Sequence, residues 1–343
     1  MLNPDLPIAI FMEETLGETH GKMGYGVLRF SPNPVVCVID SLQAGKRVTQ
    51  VVSSPRDCPV VASVEEAAAL GARALILGIA PSGGLLPQRW IAELDKAVAA
   101  GLSIVNGLHD RLAERYTNLQ PDQWIWDIRR EPPGLGVGKG RARLLHNTRT
   151  VMVGTDMATG KMTAGLELCK IAEKRGRNAQ FLATGQIGIT ICGTGVPLDA
   201  VKLDYACGAI EKTVLELKDA DLIVVEGQGS LLHPGSSATL PLLRGACPTH
   251  LILCHRAGQQ TLRDFPWLPV PALKDVADLY RRVASACGSF PDAQVAAISL
   301  NTGHLDEELA RAAIRETRDQ TGLPVTDPVR FGAETLCDAL GIL

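Results

Sequence analysis

The stretch Gly154-Thr155-Asp156-Met157-Ala158-Thr159-Gly160-Lys161-Met162-Thr163 limits what this chain can fold into more than any other. The apolar run Val151-Met152-Val153 precedes it, and a helical pattern from Ala164 to Ala172 follows. Strand, glycine loop and helix are the context that a P-loop needs, and Gly154, Gly160 and Lys161 stand at its spacing. Glycines let backbone N–H groups approach an anion, and the helix N-terminus adds a partial positive charge. Lys161 supplies a full one. Thr155, Asp156, Thr159, Met162 and Thr163 complete the candidate cofactor-binding loop.

One position departs from the nucleotide-hydrolysing pattern. Where such a loop carries Ser or Thr directly after the lysine to hold Mg²⁺, this chain has Met162. A thioether is a poor ligand for a hard cation. Thr163 comes one residue later and points elsewhere on the helix. The loop reads as built for a phosphate group but not clearly for Mg-ATP hydrolysis, with a glycine-rich turn that holds no ligand as the structural alternative, and no metal site is expected.

The rest of the chain supports an α/β reading. Apolar runs at 8–11, 35–39, 60–62, 74–79 and 102–105 alternate with helical patterns, and Ser63 with Glu66 forms a capping-box signature before Gly71 stops a helix. The segment Pro132-Pro133-Gly134-Leu135-Gly136-Val137-Gly138-Lys139-Gly140 breaks this rhythm and reads as a linker. After it come strands near 151–153, 178–183, 221–225, 250–256 and 295–300. The expected division is a first domain over 1–131, a linker over 132–149 and a P-loop domain over 150–343. A length of 343 residues suits two domains.

Composition excludes several classes of partner. Net charge is −3, so nothing points to nucleic acid or a membrane surface. The nine cysteines include no C-x-x-C pair, which reads as reduced core residues and not as a disulfide framework or zinc site. No signal peptide or membrane span is apparent, and a cytoplasmic protein is expected.

In open α/β sheets the ligand crevice lies at the carboxyl ends of the strands, so polar strand tips are the candidate site. Glu226 follows four apolar residues at the place of a Walker B acid, and could hold a metal, bind an ammonium or act as a base. A carboxylate satisfied by turn amides is the structural alternative. Gln228 and His233 follow; His233 could transfer protons at neutral pH, or be merely an exposed loop histidine. Lys202 and Asp204, with Asp199, form a polar stretch before a helix, where acids are also favoured for structural reasons. His255 and Arg256 at a strand tip could receive a carboxylate, because arginine forks onto that group, or form a salt bridge. Gln186 stands at another tip, and Ser82 and His109 each follow a strand of the first half.

These motifs resemble those of the DgcN-type D-glutamate N-acetyltransferase family, formerly a conserved domain of unknown function. The resemblance runs through Val38-Ile39-Asp40-Ser41, Val61-Ala62-Ser63, Gly78-Ile79-Ala80-Pro81-Ser82-Gly83-Gly84, Asn106-Gly107-Leu108-His109-Asp110 and Asp127-Ile128-Arg129. It continues through Val153-Gly154-Thr155-Asp156, Gly160-Lys161-Met162-Thr163, Ala183-Thr184-Gly185-Gln186-Ile187-Gly188 and Val225-Glu226-Gly227-Gln228-Gly229-Ser230-Leu231, with His233-Pro234 beyond. It spans nearly the whole chain, and Met162 matches the family's pattern. The resemblance implies a Rossmann-like N-terminal domain and a P-loop NTPase-like C-terminal domain, both mainly parallel sheets with flanking helices. It also implies acetyl transfer from acetyl-CoA to the amino group of D-glutamate or a similar D-amino acid, in D-amino-acid catabolism. Amine acetylation needs a base, for which Glu226 or His233 is the candidate, and a carboxylate receptor, for which Lys202 or Arg256 is. The expected partner is a small-molecule substrate and the expected assembly a homo-oligomer. Two other readings stay open: an ATP- and Mg²⁺-dependent kinase or ligase resembling dethiobiotin synthetase, and a non-catalytic CoA- or nucleotide-binding regulator.

Overall fold

This computed structural model describes residues 2–342, without the side chains of Thr19 and Ser82. The chain divides into two compact units: residues 1–130 with 186–200, and residues 131–185 with 201–343.

In the first unit the apolar runs become short strands: β1 (Ile8–Phe11), β2 (Val35–Ile39), β3 (Val60–Val61), β4 (Ala74–Leu77), β5 (Ser103–Asn106) and β6 (Ile125–Asp127). They form one sheet in the order β3-β2-β1-β4-β5-β6, with every pairing parallel. This is the Rossmann-like order. All four residues of β1 and of β4 are buried, as continuous apolar runs covered on both faces require. Ser63 caps the helix Val64–Ala69, its Oγ accepting from the Glu66 N–H at 3.3 Å, and Gly71 follows the helix with φ +90°. Phe11 meets Trp90 edge-to-face at 5.8 Å in the core. At the β1/β4 switch point the space is filled, because a Cβ on Gly24 would stand 2.3 Å from the Met12 sulfur.

In the second unit the strands are β7 (Thr148–Gly154), β8 (Ala179–Leu182), β9 (Leu222–Val225), β10 (His250–Arg256), a hairpin of β11 (Thr261–Leu262) and β12 (Phe265–Pro269), β13 (Gln294–Asn301) and β14 (Val325–Thr326). The main sheet runs β14-β13-β10-β7-β9-β8 and is parallel throughout. The P-loop strand β7 is therefore central, with the strand carrying Glu226 on one side and the strand carrying Arg256 on the other. Arg149, near the start of β7, is only 1% exposed. It donates to the carbonyls of Leu145, Asn147, Ala246 and Cys247, and so caps the C-terminus of the helix Thr239–Ala246.

Two segments settle otherwise than the rhythm of strands and helices suggests. Residues 186–200, which follow β8, group with the first unit. The glycine-rich segment read as a linker is docked: Glu211 accepts from the N–H groups of Lys139 and Arg141, and a Cβ on Gly208 would stand 1.8 Å from the Gly136 carbonyl oxygen. Its glycines allow backbone to lie on backbone. The helices Lys22–Phe30 and Leu273–Ser285 escape a reading of strand tips. The second places Tyr280 fully inside the core. Among the described residues no helix is long and apolar enough to cross a membrane.

Candidate functional site

β7 ends at Gly154, and the chain turns through 155–160 into the helix Lys161–Lys174. Ala158 has φ +55° and Gly160 φ +101°, backbone shapes that turn successive amides to one side. The N–H groups of Ala158, Thr159, Gly160 and Lys161 donate to no group among the described residues. Gly154 admits the lysine: a Cβ there would stand 3.0 Å from Lys161 Nζ and 2.8 Å from Thr159 Oγ1. Lys161 is buried, donates to the Asp156 carbonyl at 2.8 Å and lies 3.5 Å from Thr159 Oγ1. Burial pushes its ammonium below the usual lysine range. Free amides and a buried cation with no carboxylate salt bridge among the described residues form a cradle suited to a phosphate. Met162 and Thr163 lie half-buried in the helix's first turn.

Asp156 and Thr155 serve the loop's shape. The Asp156 carboxylate accepts from the Met157 N–H at 2.7 Å, Gln259 Nε2 at 2.6 Å and the Arg263 N–H at 2.8 Å. It thus ties the P-loop to the segment after β10. Thr155 Oγ1 shares a 2.9 Å hydrogen bond with His255 Nδ1, and burial pushes the imidazole down to about 4, so His255 is neutral at pH 7. Tyr280 donates from its hydroxyl to the Gly154 carbonyl at 2.7 Å and accepts from the Leu231 N–H at 3.0 Å. It joins the P-loop to the loop after β9, and no spacing pattern singles it out from other core positions of its helix.

Glu226 sits one residue past β9 and is 5% exposed. Its Oε2 accepts from the Thr184 N–H at 2.8 Å and the Gly185 N–H at 3.0 Å, both beyond β8. Oε1 takes no hydrogen bond among the described residues. Burial pushes the carboxyl up to about 7, against the opposing pull of the two amides and the Lys161 charge. Gly227 is obligatory at this corner, since a Cβ there would stand 1.6 Å from the Met152 carbonyl oxygen. Gln228 lies beside it, with Nε2 2.6 Å from where a Gly185 Cβ would stand. The tips of β7, β8 and β9 thus gather the P-loop, Glu226 and Gln228 in one unit. One carboxyl oxygen is anchored and the other is free to take a proton.

The remaining candidates fall in different places. His233 Nδ1 accepts from the Gly235 N–H at 3.1 Å, and its ring meets Phe265 edge-on at 5.1 Å. Lys202 is mostly exposed and already paired, with Nζ 3.4 Å from Glu131 Oε1. Asp204 is exposed in the first turn of the helix Leu203–Glu216, where a carboxylate favours the helix dipole. Arg256 stands exposed at the end of β10, on a cavity whose walls include Met157 and Ala158 of the P-loop. In the first unit, His109 donates its backbone N–H to the Gly84 carbonyl at 2.8 Å, and its ring contacts the Arg129 guanidinium. Arg129 Nε is 3.2 Å from Asp199 Oδ2. Gln186 opens the helix Gln186–Cys192, where a Cβ on Gly107 would meet its Cγ at 3.2 Å. The backbone of Ser82 forms a short turn, while its side chain lies outside the described residues.

Comparison with known proteins agrees with this anatomy. Residues 41–131 match a family described as a domain of unknown function, DUF1611_N, with a Rossmann-like domain. Residues 136–337 match the companion DUF1611_C P-loop domain. The chain is 37% identical over 288 residues to a D-glutamate N-acetyltransferase of Tritonibacter scottomollicae, covering 81% of this chain and 84% of that protein. It is 34% identical over 279 residues to another of that name from a Pseudoalteromonas species, covering 80% and 83%. The crystal structure of a DUF1611 family protein from Anabaena variabilis is 48% identical, with a TM-score of 0.95 over 98% of this chain and 99% of that one.

Proposed function

The chain belongs to the family of the DUF1611 Rossmann-like and P-loop domains, and from that membership we propose that it moves an acetyl group from acetyl-CoA to the amino nitrogen of D-glutamate. As a member it is an acyltransferase, as its relatives named D-glutamate N-acetyltransferase are. The observation that carries the reading is Glu226, a buried carboxyl at about 7 beside an anion cradle that lacks a hydroxyl after its lysine. A kinase or ligase needs a Mg²⁺ anchor at position 162; acyl transfer from a thioester needs only a hold on the donor's phosphates.

The residues present fit the donor's charged end. The free amides of 158–161 and Lys161 would hold the pyrophosphate. Glu226 Oε1 accepts a proton from the substrate ammonium while Oε2 stays fixed by the Thr184 and Gly185 amides. The freed nitrogen attacks the thioester carbonyl, the carbon–sulfur bond breaks, and the remaining extra N–H proton goes to the departing sulfur. A base near neutral is suited to this work, because a carboxylate in the ordinary range would hold the proton too weakly. We further propose a role in D-amino-acid catabolism, in the cytoplasm, as a homo-oligomer without nucleic-acid or membrane partners.

The test is thiol release from acetyl-CoA against a panel of D- and L-amino acids, with and without EDTA. Release specific to D-glutamate and indifferent to EDTA is expected. Silence across the panel, or phosphate release from ATP that depends on Mg²⁺, overturns the reading.

A further inference from the structure

Arg256, Arg263 and His304 line a cavity of about 310 Å³ together with Met157, Ala158, Ala257, Gly258 and Gln259. The P-loop forms one wall, and the end of β10 with the segment after it forms another. His304 comes from the loop after β13. Among the described residues no carboxylate lines the cavity. Neither guanidinium has an ion pair or side-chain hydrogen bond among the described residues, and neither does the His304 ring. Asp156, beside Met157 in the sequence, is buried, with both its oxygens occupied by Met157, Gln259 and the Arg263 backbone, and Asp264, which follows Arg263, is exposed and is not among the lining residues. That same bond fixes the Arg263 backbone relative to the P-loop. Some exposed arginines of this unit are paired, as Arg281 is with Asp292 and Arg311 with Glu307, and others, such as Arg282 and Arg315, have no ion pair among the described residues; what sets Arg256 and Arg263 apart is that both line one cavity. Here two arginines share a concavity without a counter-ion, which raises the local potential and favours an anion.

The cavity is separate from the cradle. Lys161 Nζ lies beside Gly154 and is not among the residues lining the cavity, whereas Met157 and Ala158 form the wall that the loop shares with it. A ligand that fills both needs one anionic group for the cradle and a second one nearby. The ribose of ATP carries no second anion; that of CoA carries a phosphomonoester with nearly two negative charges at neutral pH.

We propose that the cavity bounded by Arg256, Arg263 and His304 is the receptor for the 3′-phosphate of CoA, while the P-loop holds the pyrophosphate. Arg256 thereby serves the donor nucleotide and not the amino-acid carboxylate. The two guanidinium groups supply forked donors that match phosphate oxygens, and His304 adds an imidazole N–H. The assignment rests on acetyl-CoA being the donor, and it makes the enzyme selective for phosphorylated over dephosphorylated donor.

Calorimetric titration with CoA and with dephospho-CoA tests this directly. Wild-type protein should bind CoA about tenfold or more tightly than dephospho-CoA, with a preference that shrinks as salt rises. In R256Q/R263Q the two ligands should bind alike. Continued binding of dephospho-CoA shows that the variant is folded, and single R256Q, at an exposed position, should give an intermediate ratio. Equal affinities in the wild type, or a preference that survives the double substitution, overturns the subsite. The ratio of kcat/KM for acetyl-CoA over acetyl-dephospho-CoA should follow the same pattern. If no amino acid is acetylated but the binding preference holds, the proposed reaction falls and the nucleotide site stands. If acetylation proceeds equally from both donors, the reaction stands and the subsite falls.

Discussion

Replacing Glu226 by Gln separates its chemistry from its architecture. The amide oxygen can still accept from the Thr184 and Gly185 N–H groups, so the corner after β9 should persist. What is lost is proton affinity. A positioned general base contributes about 10²- to 10⁴-fold, so kcat should fall by that range while CoA affinity stays within about twofold. In the wild type the acid limb of kcat/KM should lie near 7, with activity rising as pH rises, because the base must be ionised. The Gln variant should lose that limb. Stability supplies an independent reading. A carboxyl at 4.5 in the unfolded chain and about 7 in the fold binds more protons when folded, so its contribution is intact below pH 4.5 and is lost as pH rises through 7. The full loss is about 3 kcal/mol. Urea unfolding of the full chain at pH 5 and pH 8 should show the Gln variant gaining on the wild type by most of that amount over the interval. Equal pH dependence of unfolding in both proteins, together with undiminished turnover in the variant, would refute both the burial argument and the role.

Two other substitutions probe the cradle. Lys161→Met should weaken CoA binding by about 10- to 100-fold in calorimetry. It should also move the acid limb of residual activity above 7, because the lysine charge draws the Glu226 value down; a limb that stays or falls contradicts the coupling. Asp156→Ala should strand the Met157 and Arg263 N–H groups and remove one of the two hydrogen bonds of the Gln259 amide, at a cost of about 2–4 kcal/mol. Scanning calorimetry should show a melting temperature lower by about 5–10 °C, and an unchanged melt would mean that the bond network carries no load.

The fold was legible where local chemistry and spacing are enough. Buried parallel strands need continuous apolar runs, and β1, β4, β9 and β10 are such runs. The P-loop needs glycine and lysine at fixed spacing, and the structure places Gly154, Gly160 and Lys161 around one cradle. Glu226 could be found because a carboxylate after four apolar residues must emerge at a strand tip. Contacts between distant segments could not. Asp156 reads as a ligand residue until Gln259 and Arg263, more than one hundred positions on, are seen to occupy it. Lys202 reads as a free cation until Glu131 is seen beside it. Arg263 and His304 stand in different loops and share no motif, so only the fold brings them to one cavity with Arg256.

Asp156 and Met162 together suggest what this P-loop has been fitted to do. In a hydrolytic loop the charge of the γ-phosphate must be met by a metal anchored on the residue after the lysine. Here that residue is a thioether, and the loop's own acid turns away from the cradle to brace the wall bearing Arg263. The nearby carboxyl Glu226 is held largely out of water at about 7, a value suited to receiving a proton but poor for holding Mg²⁺, which wants an ionised oxygen. Each change removes a requirement of phosphoanhydride chemistry while keeping the hold on phosphate. A site so altered favours a reaction in which the nucleotide is a handle and the bond that breaks lies elsewhere in the donor, as in a thioester.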